Sequence, residues 1–183
     1  MDRAEAFNLL SQYTKKDGLI KHALAVEAGM RAYARKFGEN EENWGIVGLL
    51  HDFDYEAYPT AEDHPFKGAE ILRERGVDES WIEAILGHAE YTGVARESLM
   101  AKTLFAVDEL TGLINATTLV RPSKKIADVK SKSVKKKMKD KSFAASVNRE
   151  DITRGCEELG VDLTEHIDFV IKAMQGVADD LGL

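Results

Sequence analysis

His51 and Asp52 stand side by side at the end of the apolar run "GIVGLL" at residues 45–50. Two ionisable groups at the tip of a segment patterned for the core are costly to bury unless something compensates them. A buried hydrogen bond, a helix terminus or a metal site would each do so. Asp108 poses the same question inside "TLFAVDEL", where Leu104, Phe105, Ala106 and Val107 precede it. His22 lies among Leu19, Val26 and Met30 at helical spacing, which points it inward. His64 and His88 complete a set of histidines on or at the ends of expected helices. Taken singly, each is most simply a structural or surface residue. Taken together, inward-facing imidazoles and carboxylates on separate helices share one explanation, convergence on a cation, and helical bundles build such sites from facing helices. His166, beside Glu165, lacks that context and reads as a surface residue.

The elements that must position these groups are helical. Residues 3–13 carry Ala6, Phe7, Leu10 and Tyr13 at helical spacing. Asp17 is placed to cap a long helix that Gly38 ends. A shorter helix over 41–51 delivers the His-Asp pair, and the loop "DFDYEAYPTAED" follows. "PFKGAEILRERG" starts with proline at a first helical position and stops at Gly76. Asp78 opens "ESWIEAILGHAE", Ser98 opens the segment that carries Asp108, and further helices are expected near 149–159 and from Leu163 to about Leu181. No window alternates with period two. The reading is an all-α bundle of about seven to nine helices.

The chain has 183 residues and 44% hydrophobic content, which suits a single domain over 1–183 with a real core. Its apolar runs fall far short of the roughly 18 residues a membrane span needs, and "MDRAEAF" has no apolar signal-peptide region. Cys156 stands alone, which excludes an intramolecular disulfide. The expectation is a cytoplasmic protein without a membrane partner. Charge is uneven: residues 121–141 hold ten Lys/Arg against two Asp, a net of +8, leaving −15 on the rest of a chain whose total is −7. An acidic body with one basic segment does not fit a general nucleic-acid binder, and only Phe143 offers an aromatic near the lysines. The segment suits a small anionic ligand or a solvated helix face.

His22, His51-Asp52 directly after "GLL", and Asp108 within "FAVDEL" resemble the pattern of the HD-domain superfamily of metal-dependent phosphohydrolases. "HPFKGAEIL" is similar to the H-x-x-x-G-A-x-x-L element of its two-metal members, and His88 in "AILGHAEYTG" extends the likeness. The resemblance covers about residues 18–115, leaving 116–183 as a helical extension with the basic segment. The tail is similar to an uncharacterised prokaryotic HDIG-type subgroup. The resemblance implies an HD-domain helical bundle with one metal held by His22, His51, Asp52 and Asp108. Asp52 would bridge to a second metal held by His64 and His88. It implies one or two divalent transition metals per chain; imidazole with carboxylate suits iron, manganese, zinc, cobalt or nickel better than calcium. In two positions the chain departs from the pattern. The eponymous His-Asp-Ile-Gly reads His51-Asp52-Phe53-Asp54 here, and His88-Ala89 stands where several relatives have two adjacent histidines.

The expected chemistry is hydrolysis of a phosphoester or phosphoanhydride in a small phosphorylated metabolite, a nucleotide by preference, by a metal-activated hydroxide. Asp54 is a candidate acid or water-positioning group beside the catalytic Asp52. Lys67, Arg121, Lys124 and Lys125 are candidates for binding substrate phosphate, the last three by folding back over the mouth of the site. The "HPFKGA" and "HAEYTG" elements look like those of bacterial HD enzymes that split dinucleoside tetraphosphates. A di-iron oxygenase with the same ligand set, and a non-catalytic nucleotide-binding module, are the alternatives. A homodimer is the expected assembly.

Overall fold

The computed structural model describes all 183 residues, Met1–Leu183. The chain enters through α1 (Arg3–Tyr13) and α2 (Asp17–Phe37), then turns into α3 (Glu41–Leu50). A loop of turns leads to α4 (Phe66–Glu74), α5 (Glu79–Leu86) and the 3₁₀ turn Glu90–Thr92. The long α6 (Leu99–Leu119) is followed by a second 3₁₀ turn, Ile126–Asp128, and by α7 (Ser131–Met138), α8 (Arg149–Leu159), α9 (Leu163–Gln175) and α10 (Ala178–Leu181). There is no strand.

Most helices begin where a short polar side chain can accept from the first free amides. Ser98 accepts from Ala101 N–H at 3.1 Å, and Asn40, Asp78, Asn148 and Asp162 do the same for α3, α5, α8 and α9. Asp17 is not the cap expected of it. It is the first residue of α2, where its charge complements the positive end of the helix and pairs with Lys21 at 2.8 Å. The ten helices exceed the expected range because α7 forms inside the basic segment and the last helix breaks at Gly176 before α10. α7 was illegible because Val134 is its only fully buried apolar side chain; its lysines stand on the outside as a solvated face.

One core of 36 buried residues runs from Ala6 to Leu181. At its centre α2 lies against both α3 and α6, with Val26, Met30, Leu49, Leu50, Leu104 and Val107 fully enclosed. Gly29 permits the α2–α6 approach: a Cβ there would stand 2.5 Å from Val107 Cγ1. This close trio carries His22 on α2, His51 at the end of α3 and Asp108 on α6. α4 and α5 pair beside it and bring His64 and His88, while α8 packs on α6 and α9 on α2.

Candidate metal centre

His51 follows the last residue of α3, where the helix leaves carbonyls without amide partners. Its Nδ1–H donates to Gly48 O at 2.8 Å, turning Nε2 outward. His88 repeats the device after α5, with Nδ1–H donating to Ile85 O at 2.5 Å. His64 precedes α4, and its Nδ1–H donates to Asp54 Oδ1 at 2.8 Å. On α2, His22 turns Nδ1 towards Thr111 Oγ1 at 3.4 Å, and that hydroxyl itself donates to Asp108 O. In the neutral rings the hydrogen bonds therefore assign the proton to Nδ1 of all four and leave each Nε2 as a lone pair.

Those lone pairs converge. His22 Nε2 lies 3.2 Å from His51 Nε2 and 3.0 Å from Asp108 Oδ1, and His51 Nε2 lies 3.4 Å from the same oxygen. In a second group, Asp52 Oδ1 lies 3.2 Å from His64 Nε2 and 3.1 Å from His88 Nε2. The other oxygen of Asp52, Oδ2, faces His51 Nε2 at 3.6 Å. One carboxylate thus presents one oxygen to each triad. Unprotonated nitrogens facing carboxylate oxygens repel one another unless a proton or a cation stands between them. Ligands at about 2.0–2.2 Å from a tetrahedral or octahedral ion have edges of roughly 3.0–3.5 Å, the spacing seen here. The donor set and its geometry fit a divalent transition metal in each triad.

The electrostatics agree. Burial disfavours the His51 cation, yet Asp52 and Asp108 outweigh it and push this histidine up to about 9. His64 is pushed up to about 9 against the same burial by Asp52 and Asp54. Burial also opposes ionisation of Asp52 and Asp108, but His51 with His64 and His88 holds the first well below the carboxylate range, and His51 with His22 lowers the second. Side chains that favour positive charge between them this strongly suit a bound cation.

The triads open into a cleft of about 470 Å³ whose walls add Tyr55, Glu90, Tyr91, Glu109, Asn148 and Asp151. Burial and then Asp108 push the Glu109 carboxyl up to about 7, while Asn148 N–H donates to its Oε2 at 3.1 Å. Tyr91 O–H donates to His64 O at 2.9 Å and so ties the Glu90–Thr92 turn to the second triad. No lysine or arginine lines the cleft.

The structure brings together His22, His51, Asp52, His64, His88 and Asp108. It does not bring the four basic candidates to them. Lys67 pairs with Glu70 at 2.9 Å and lies outside the cleft lining. Arg121 reaches Ser133 Oγ at 3.5 Å, and Lys124 and Lys125 line a different cavity of about 780 Å³ with Gln175, Asp179 and Leu183. The chain turns away after Leu119, and Ile126 is buried in the core, so the segment does not fold back over the mouth in this structure. Asp54 is 1% exposed and does not line the cleft; Gly68 N–H donates to its second oxygen at 2.8 Å. His166 is not a surface residue. Its ring is 1% exposed, Nε2–H donates to Ala106 O at 2.8 Å and Nδ1 accepts from Tyr33 O–H at 2.5 Å. Sequence reasoning missed Thr111 and the cleft wall. Thr111 lies one turn after Asp108, a signal that could have been used, whereas Asn148 and Asp151 reach the cleft only through the packing of α8 on α6.

A family model described as the HD domain matches residues 19–113, just over half of the chain and the whole span from His22 to Asp108. No solved structure matches. With four Nε2-facing histidines and two carboxylates gathered inside the matched region, the chain belongs to the HD-domain family.

Proposed function

We propose that this protein is a two-metal phosphohydrolase acting on a small phosphorylated metabolite, with a nucleotide as the expected class. The observation that carries the reading is Asp52, whose two oxygens face the Nε2 atoms of two separate groups of imidazoles. His22, His51, Asp52 and Asp108 would hold one cation, and Asp52, His64 and His88 the other. Cations there would polarise a phosphoryl oxygen and lower the pKa of water beside it. The cleft supports that division of labour: Asp52, Glu90, Asp108, Glu109 and Asp151 line it with no lysine or arginine, so bound cations would be needed to attract a phosphate. The chain's own residues then orient the ligands through Gly48 O, Ile85 O, Asp54 and Thr111, and close one wall with Tyr91.

Metal analysis of protein purified without chelator, followed by a phosphatase screen over nucleotides and dinucleoside polyphosphates, tests the proposal. Wild type is expected to carry up to two equivalents of iron, manganese, zinc, cobalt or nickel. Asp52→Ala is expected to lose both, and with them hydrolysis, because it serves both groups. Hydrolysis that survives in Asp52→Ala would refute the mechanism. The lack of any lysine or arginine in the lining favours a second reading, a di-iron oxygenase of an uncharged polyol. Substrate-dependent oxygen uptake without phosphate release would select it.

A further inference from the structure

We propose that Asp54 is a positioning residue that fixes the tautomer of His64 and thereby creates the second metal site; the metal part rests on the two-metal reading above. Asp54 stands where the family's eponymous motif has glycine, and it is buried without facing the cleft. Its two oxygens have separate tasks. Oδ1 accepts from His64 Nδ1–H and Oδ2 accepts from Gly68 N–H, both at 2.8 Å.

The Gly68 amide lies in the first turn of α4, where N–H groups have no partner within the helix. An amide can only donate, so this contact orients the Asp54 carboxylate before His64 is considered. Gly68 has no alternative residue at this approach. A Cβ there would stand 2.8 Å from Asp54 Cγ and 3.0 Å from each oxygen. Asp54 and Gly68 are therefore one device: helix end, carboxylate, imidazole. Through it His64 keeps its proton on Nδ1 and turns Nε2 towards Asp52 Oδ1.

Asn at position 54 has nearly the same shape but one donor end and one acceptor end. Gly68 N–H claims the carbonyl, so the NH₂ group must face His64. A neutral His64 then accepts at Nδ1 and carries its proton on Nε2, where it donates to Asp52 and cannot bind a metal.

The experiment compares wild type, Asp54→Asn and Gly68→Ala, using manganese(II) as the probe. Metal-free ¹⁵N-histidine spectra in alkaline buffer, where the ring is neutral, read the tautomer directly. Wild type is expected to show Nδ1–H at His64, and Asp54→Asn to show Nε2–H. In manganese titrations the tighter equivalent is expected to remain in Asp54→Asn, while the second weakens about 10- to 100-fold. Gly68→Ala, which displaces the same carboxylate from the other side, is expected to weaken the same equivalent and serves if Asp54→Asn fails to fold. Retention of Nδ1–H in Asp54→Asn, or unchanged affinity for both equivalents in the variants, overturns the proposal. A purely structural aspartate would lower the melting temperature without inverting the ring. If wild type itself binds fewer than two ions, the two-metal reading fails, and the tautomer spectra still decide the role of Asp54.

Discussion

Acidification is expected to loosen the attachment of α9 through His166. The ring is enclosed between Tyr33 on α2 and Ala106 on α6, and burial holds it at about 4 rather than the usual 6.5. The folded state therefore binds this proton less readily than the unfolded chain does. Above 6.5 both states are neutral here and the histidine contributes no pH dependence. As pH falls from 6.5 to about 4 the unfolded chain takes up the proton first, and stability is lost over that window. At about 1.4 kcal/mol for each tenfold difference in proton affinity, the loss amounts to about 3 kcal/mol. The perturbation is His166→Gln, whose amide can accept from Tyr33 and donate to Ala106 but does not titrate. Urea unfolding of both proteins in chelator, between about pH 7.5 and 4, gives the stability difference at each pH. That difference is expected to shrink by about 3 kcal/mol across the window. His51 and His64, held at about 9, act with the opposite sign: their contribution is complete below 6.5 and is lost as pH rises towards 9. They occur in both proteins and cancel. A difference that does not change with pH would refute the reasoning, because it would mean that the ring takes up a proton as readily inside the fold as in the unfolded chain.

Two other perturbations separate the site from its surroundings. Gly155→Ala would place a Cβ 2.6 Å from Ala106 Cα, and backbone cannot move aside as a side chain can; the forced shift of α8 is expected to cost about 1–3 kcal/mol beyond any gain in helix propensity. An unchanged melting temperature would show that α8 has room against α6. Lys124→Ala removes a side chain from the other cavity, so KM for a phosphorylated substrate is expected to stay within about twofold of wild type, the effect of a surface change away from the site. A large rise in KM would mean that the segment after α6 reaches the cleft during turnover.

Four of the proposed metal ligands were legible because each breaks a local rule. His51, Asp52 and Asp108 put charge at the edge of apolar runs, and His22 shares the face of Val26 and Met30. Helix identity was equally clear for α1, α2 and α6, where apolar spacing and terminal residues agree. His166 shows how a local reading fails. It precedes Val170 and Met174 by four and eight residues and so lies on the buried stripe of α9, but the adjacent Glu165 drew attention to the opposite face. Arg121, Lys124 and Lys125 lie away from the cleft for a different reason. Charge composition says how many cations a segment carries, while the direction it takes after Leu119 depends on Ile126 and Val129 finding the core. The cleft wall was beyond reach for the same reason, since Asn148 and Asp151 arrive from the far end of the chain.

The rings of His51 and His88 each close the last turn of the helix that delivers them, using one nitrogen, and turn the other towards the carboxylates of the site. Helix ends are the parts of a fold that open first. Here, unwinding of the final turn of α3 or α5 and loss of aim by the ring are a single event. The site therefore inherits the opening equilibrium of two helix ends, and anything that holds both Nε2 atoms in place also suppresses fraying at both. Order at the centre and order at these termini rise and fall together.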